Sequence, residues 1–393
     1  MGIIRSERVA AFLLLAAAAL GLIAANTAIG PALLRLQDAH LAIPGTPLDL
    51  SVGHWISDGL LAVFFFVVAV ELKNELTVGQ LNSVSKAVRP AIAALGGVAV
   101  PALIYVAVTA GSGYEGGWPI PTATDIAFAL GVLAVFGRGI PSRLRIFILA
   151  LAILDDIVAI VIIAVFFTAD PNLVFLGLAA IGVALFGLVS RLLGGRHRML
   201  AVAVMIVLAA LTWSLVYLSG VHATIAGVAL GLVMVRKPAM HVRHALEPVT
   251  NGVILPLFAF SAALVAIPQV SPAELAAPFW GILIALPVGK VIGIALGGWL
   301  SSFVGPREKR PHLTPYALLT AGALGGVGFT VSLLMNELAF ASRPEVADEG
   351  TLAVLLGSSI SIVVSAVLVS RLSAYYRRLR VLRADAVRRL SGA

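Results

Sequence analysis

Apolar residues come in long unbroken runs, and polar residues gather in short clusters between them. The runs fall at about 9–30, 55–76, 88–109, 118–137, 143–168, 172–192, 199–218, 222–235, 249–267, 275–303, 314–341 and 352–375. Most approach or exceed the roughly 20 residues that a helix needs to cross a bilayer. They are apolar on all sides, without the period-2 alternation of half-buried strands, as helices surrounded by lipid should be. The pattern predicts an all-α membrane protein with about twelve transmembrane helices, one polytopic transporter domain over 1–393. Run 222–235 is too short to cross alone and is expected to share its layer with packed neighbours. Between the first two runs, Pro31 to His54 forms the longest segment on one side. Its Pro-Gly turn, with short alternating flanks, predicts a β-hairpin at about 42–52.

Composition agrees with this reading. The chain is 60% hydrophobic and 12% charged, with a mean hydropathy of +1.05. A soluble chain of this size could not cover so much apolar surface. There is no cysteine, which excludes disulfides, iron–sulfur ligation and thiolate catalysis. The net charge of +8 comes from the loops. With both termini on one side, 24 of the 27 Lys and Arg lie on that side, including a basic tail at 376–393. Only Arg35 and Arg343 lie opposite, and Lys290 falls within a run. The positive-inside rule makes the crowded side cytoplasmic. The same count favours retention of the first run as a helix over its removal as a signal peptide, and it explains the basic balance without nucleic acid. Gly325-Gly-Val-Gly328 lacks the Lys-Ser/Thr of a phosphate loop.

The ionisable residues inside the runs carry the chemistry. Asp155 and Asp156 fall at the middle of a helix running from Arg143 to Thr168, where an ionised carboxylate costs about 2.5–3.5 kcal/mol. In the fourth run, Trp118-Pro-Ile-Pro-Thr-Ala-Thr124-Asp125 is poor helix, because proline removes donors and clashes with the preceding turn. Non-helical backbone at this depth survives against protein or water. An interruption at Thr124 and Asp125 is therefore expected. The eleventh run holds four glycines between Gly322 and Gly328, which give either close packing or a second break. Pairing the two breaks makes runs three to five and ten to twelve, about 88–168 and 275–375, corresponding triplets. That is the mark of inverted repeats in secondary transporters. Lys290 lies too deep to reach water and needs an acidic partner, for which Asp155, Asp156 and Asp125 are the candidates.

Adjacent carboxylates in a site of low dielectric constant are costly to keep ionised together, which makes protons natural occupants. Their oxygens, with the Thr124 hydroxyl and freed backbone carbonyls, also suit a small hard cation. Protons and cations compete for the same oxygens, and a site that carries one or the other across exchanges them. Two peripheral clusters, Glu71-Leu-Lys-Asn-Glu75 and His241-Val-Arg-His244-Ala-Leu-Glu247, are solvated helix ends or, alternatively, gates and pH sensors on the inner side. Asp58 reads as a helix N-terminal charge and His222 as a satisfied buried histidine.

Several motifs in order resemble the NhaA family of sodium/proton antiporters over nearly the whole chain. They are Thr122-Ala-Thr-Asp-Ile-Ala-Phe-Ala-Leu-Gly131, Ala150-Leu-Ala-Ile-Leu-Asp-Asp156, Gly220-Val-His-Ala-Thr-Ile-Ala-Gly227, Gly289-Lys-Val-Ile-Gly293 and Gly326-Val-Gly-Phe-Thr330. NhaA is itself a known example of the inverted-repeat, broken-helix design. The resemblance implies that the two interrupted helices cross near the membrane midplane. It implies Asp155 and Asp156 as the ion- and proton-binding pair, Lys290 as a salt-bridge partner of Asp155, and Thr124 and Asp125 as residues lining or balancing the crossing. It further implies electrogenic exchange of Na+ or Li+ for H+ and no cofactor. A bacterial inner-membrane location and a homodimer held partly by the outer hairpin complete the picture. Asn74, Arg243 and Glu247 depart from the family pattern. They lie among Glu71, Glu75 and His244, the residues of the proposed pH-sensing region.

Two rivals bear on the same residues. An intramembrane aspartyl protease draws its two aspartates from separate helices, one after Gly-x-Gly, whereas here they are adjacent, so the chain is not read as an enzyme. A sodium-coupled symporter of an organic anion would use Lys290 as substrate counter-ion and remains the alternative.

Overall fold

The computed structural model describes residues 7–168, 170–194, 198–268, 270–304 and 313–391. Arg5, Arg196, Arg307, Lys309 and Arg310 of the basic side, and the last two residues of the tail, lie outside them. Among the described residues, ten helices are long and apolar enough to cross a membrane. An eleventh crossing is added if the pair Pro315–Gly325 and Phe329–Ala339, bent by 52°, counts as one. Stretch 222–235 holds the ten-residue helix Thr224–Val233. Large apolar side chains such as Phe12, Leu103 and Val165 are more than half exposed, as expected of surfaces that meet acyl chains rather than water.

The chain divides into two compact units, one of Met1–Asn82 and Val158–Pro268, the other of Ser83–Ile157 and Gln269–Ala393. In the first unit, helix Glu7–Ala25 is followed by a short helix Gly30–Asp38, which begins with Pro31 in its first turn. The hairpin pairs His40–Ala42 antiparallel with Asp49–Ser51, Leu41 opposite Leu50. The helix Leu61–Thr77 receives Thr224–Val233 along a glycine face, since a Cβ at Gly227 would fall 2.0 Å from the Ala62 carbonyl. Helix Arg236–Val249 continues through Pro248 into Leu255–Ala262 by way of a π-helical turn at Thr250–Ile254. The ninth run was expected to begin at 249. The helix starts earlier, at Arg236, and stays continuous through the π-turn that lies between Pro248 and Pro256.

In the second unit, Val84–Thr109 packs on Lys290–Ser301 at backbone distance. A Cβ at Gly293 would lie 2.2 Å from the Gly96 carbonyl, and one at Gly96 2.3 Å from that of Gly293. Without a hydrophobic drive between helices in lipid, such close approach supplies the packing. A second π-turn, Ala285–Gly289, surrounds Pro287 and ends where Lys290 begins a regular helix. Apolar packing joins Leu144, Ile148 and Leu151 of the aspartate helix, Ser142–Phe166, to Ile294, Leu318, Leu324 and Val369. The last helix runs unbroken from Pro344 to Ser391, 48 residues, so the crossing expected at 352–375 and the basic tail are one element.

Candidate functional site

Both expected interruptions are present, and each has a local cause. The fourth run begins as two single 3-10 turns, Glu115–Gly117 and Ile120–Thr122, on either side of Pro119 and through Pro121. The backbone is extended at Ala123 and Asp125, and a regular helix starts only at Ile126 and ends at Phe136. The eleventh run stops at Gly325 and restarts at Phe329. None of its break glycines takes a positive φ. They are there for room, because a Cβ at Gly326 would meet Ser361 Oγ at 2.8 Å and the Leu286 carbonyl at 3.0 Å.

The two breaks meet. Asp125 N–H donates to the Val327 carbonyl at 2.6 Å, and Ser332 Oγ donates to the Ile120 carbonyl at 2.7 Å. Asp125 caps its own helix by accepting from Phe128 N–H at 3.3 Å. Its other oxygen accepts from Thr330 N–H at 3.2 Å and Thr330 Oγ at 2.7 Å, in the first turn of Phe329–Ala339. One carboxylate thus faces two helix N-termini. Each presents about half a positive charge, so together they balance about one negative charge. Asp125 needs no lysine.

Lys290 is committed elsewhere. Its ammonium, with no exposed surface, donates to Asp155 Oδ2 at 2.6 Å and to Thr124 Oγ at 3.0 Å. Of the three acids open to it by sequence, Asp155 is the partner found. Thr124 Oγ also lies 2.5 Å from Asp155 Oδ2 and 2.8 Å from the Gly325 carbonyl. A hydroxyl has one proton, so it donates to one of these at a time while accepting from Lys290. The hydroxyl therefore connects the aspartate helix, the lysine and the C-terminal end of Pro315–Gly325. Asp155 Oδ1 is buried with no hydrogen-bond partner. Asp156, also buried, points about 100° away from Asp155 around the helix.

Among the described residues, no three His, Cys, Asp or Glu side chains converge on one point. What the site offers is one unsatisfied carboxylate oxygen, a second carboxylate one residue on, a hydroxyl with two alternative acceptors, and an ammonium held by Asp155 and Thr124.

The expected peripheral cluster is only partly assembled. Glu71 pairs with Arg243 at 3.0 Å. His244 faces Glu247 one turn along the same helix, at 3.6 Å. Glu75 accepts from the Gln80 backbone at 2.8 Å and so finishes its own helix end. Lys73 donates to the Met234 carbonyl, just past the C-terminus of Thr224–Val233, at 2.8 Å. Asp58 sits within the π-turn Trp55–Leu60, its Oδ1 3.5 Å from His222 Nδ1. Thr330, which closes the motif Gly326–Thr330, and Ser332 have no role assigned from the sequence. Their positions just after the glycine break, where a new helix must start, were the signal available.

A family model described as Na+/H+ antiporter 1 matches residues 2–369. The Na(+)/H(+) antiporter NhaA 2 of Clavibacter michiganensis subsp. michiganensis is 60% identical over 380 residues, covering 96% of this chain and 93% of its own. An Na(+)/H(+) antiporter NhaA of Tropheryma whipplei is 45% identical, covering 94% of each chain. One of Streptomyces avermitilis is 44% identical, covering 96% of this chain and 82% of its own.

Proposed function

The chain belongs to the Na+/H+ antiporter 1 family, and from that premise we propose that it exports Na+ or Li+ in exchange for imported H+ by alternating access at Asp155 and Asp156. The observation that carries this reading is the Asp155–Lys290 pair, fully buried where two helices are interrupted, with Asp155 Oδ1 left open. A buried pair of this kind adds little stability, since the desolvation penalty offsets most of its attraction. It is better suited to being exchanged.

In the proton-loaded state the lysine ammonium neutralises Asp155 and a proton neutralises Asp156. A Na+ that enters takes oxygens from both aspartates and, as Lys290 withdraws, the Thr124 hydroxyl and the Gly325 carbonyl. Positive charge cannot accumulate in the low-dielectric surroundings, so as Na+ arrives the Asp156 carboxyl releases its proton and the Lys290 ammonium, deprived of its carboxylate partner, releases a second. More than one proton per Na+ makes the cycle electrogenic, and each net charge moved inward gains about 2.3 kcal/mol per 100 mV of membrane potential. On this reading the side rich in cations, with both termini, faces the cytoplasm across a bacterial inner membrane, which the positive-inside rule supports. Glu71, Glu75, His244 and Glu247 would then face the cytoplasm. Of these, Glu71 is held by Arg243, a substitution at a family position, so the pH response of this chain is set by a different partner. A homodimer through the hairpin at His40–Ser51 remains part of this reading on the strength of the family resemblance.

Everted vesicles that hold a respiration-generated proton gradient test the proposal. Addition of Na+ or Li+, with no organic solute, should collapse part of the gradient, and Asp155→Asn or Asp156→Asn should abolish the response. A gradient unaffected by either ion at every pH tried would refute sodium exchange. A response that required an organic anion would establish symport instead.

A further inference from the structure

We propose that the second unit carries a binding site for the headgroup of an anionic phospholipid, built from the loop Gly137–Pro141 and the stretch Arg371–Arg378 of the last helix. The two segments are docked together. Ser373 Oγ donates to the Arg138 carbonyl, and Gly139, at φ 105°, leaves room for Arg377, whose Cγ would lie 2.9 Å from a Cβ there. Arg145 reaches back from the aspartate helix to the Gly137 carbonyl at 2.9 Å.

The charges this brings together are of one sign. Arg138, Arg143, Arg371, Arg377 and Arg378 are exposed. None of them joins an ion pair among the described residues. Neither 126–154 nor 350–384 contains a single Asp or Glu. Cations left without carboxylates are an incomplete arrangement that anions complete.

The depth is that of a headgroup. Gly350 to Ser370 is an uncharged run of 21 residues, about 30 Å of helix and so about the hydrocarbon thickness. Arg371 is the first charge after it. On the same face follow Tyr375, 53% exposed, and Leu382, 64% exposed, with Arg378 between them. An aromatic ring and arginines on an outward stripe suit the boundary between acyl chains and phosphate. A soluble anion would use the arginines but not the stripe.

The loop joins the half-helix that starts at Asp125 to the helix that carries Asp155 and Asp156. A bound headgroup would hold that joint, so occupancy should also raise transport. This last consequence rests on the antiport reading, whereas lipid binding does not.

The test uses the full chain in nanodiscs or liposomes of phosphatidylcholine alone, or with added phosphatidylglycerol. Native mass spectrometry, or the immobile fraction of a spin-labelled phosphatidylglycerol, reports retained lipid. The wild type should retain phosphatidylglycerol over phosphatidylcholine, and R371Q/R377Q/R378Q should retain it about tenfold less. Glycerol phosphate in excess should not compete. Arg35→Gln serves as a control that keeps wild-type retention. Equal retention by the triple variant and the wild type would overturn the proposal, as would full competition by glycerol phosphate. Lipid retention without exchange in any lipid would leave the site standing and count against antiport.

Discussion

Lys290 shows how a buried ion pair can add little net stability and still be costly to break. Its ammonium is enclosed with Asp155 and Thr124 and has no exposed surface. Removing one member of such a pair leaves an uncompensated charge and costs about 3–5 kcal/mol, whereas replacing both with neutral groups is close to neutral. Lys290→Ala should therefore lower the thermal midpoint of the purified protein markedly. The double variant Asp155→Asn/Lys290→Gln should recover most of that loss and still fail to transport. Equal destabilisation by the single and the double variant would show that the two charges are not coupled. The sequence alone restricted Lys290 to three acids, and the family resemblance selected Asp155. The reason for that choice lies in the backbone. Asp125 is already balanced by two helix N-termini, one of which belongs to a segment about 200 residues away, and no local pattern reveals that.

At the scale of elements, the breaks were legible because proline and glycine act locally. Pro119 and Pro121, two residues apart, remove two backbone donors and crowd the same turn, which disfavours a regular helix there, and four glycines in seven residues leave little side chain to pack. How the breaks engage each other was not legible. Thr330 reads as an ordinary helical residue until Phe329–Ala339 is seen to begin against Asp125. Thr330→Val keeps its shape but removes the hydroxyl that donates to that carboxylate at 2.7 Å. A hydrogen bond to a charged group contributes about 1.5–3 kcal/mol. The variant should lose stability of that order in thermal unfolding, and an unchanged midpoint would mean that this contact does not hold the crossing. The boundaries that sequence placed poorly have opposite local causes. Between 358 and 391 there is neither glycine nor proline, so the last helix continues past its apolar run. At Pro248 the reverse occurs, and a π-turn carries the helix through a residue that usually ends one.

For the whole molecule, the distribution of apolar and charged residues established the membrane class, and the structure and the family agree with it. Exchange at this site requires Na+ and protons to occupy the same oxygens, so that one leaves as the other binds. Apparent Na+ affinity should therefore fall as pH falls, because protonated carboxylates are poor cation ligands. Calorimetric titration of the purified protein with Na+, in two buffers of different ionisation enthalpy at one pH, tests this most directly. The heat should differ between the buffers by an amount corresponding to protons released, and Asp156→Asn should lose that difference. Na+ binding with the same heat in both buffers would contradict occupancy of shared oxygens.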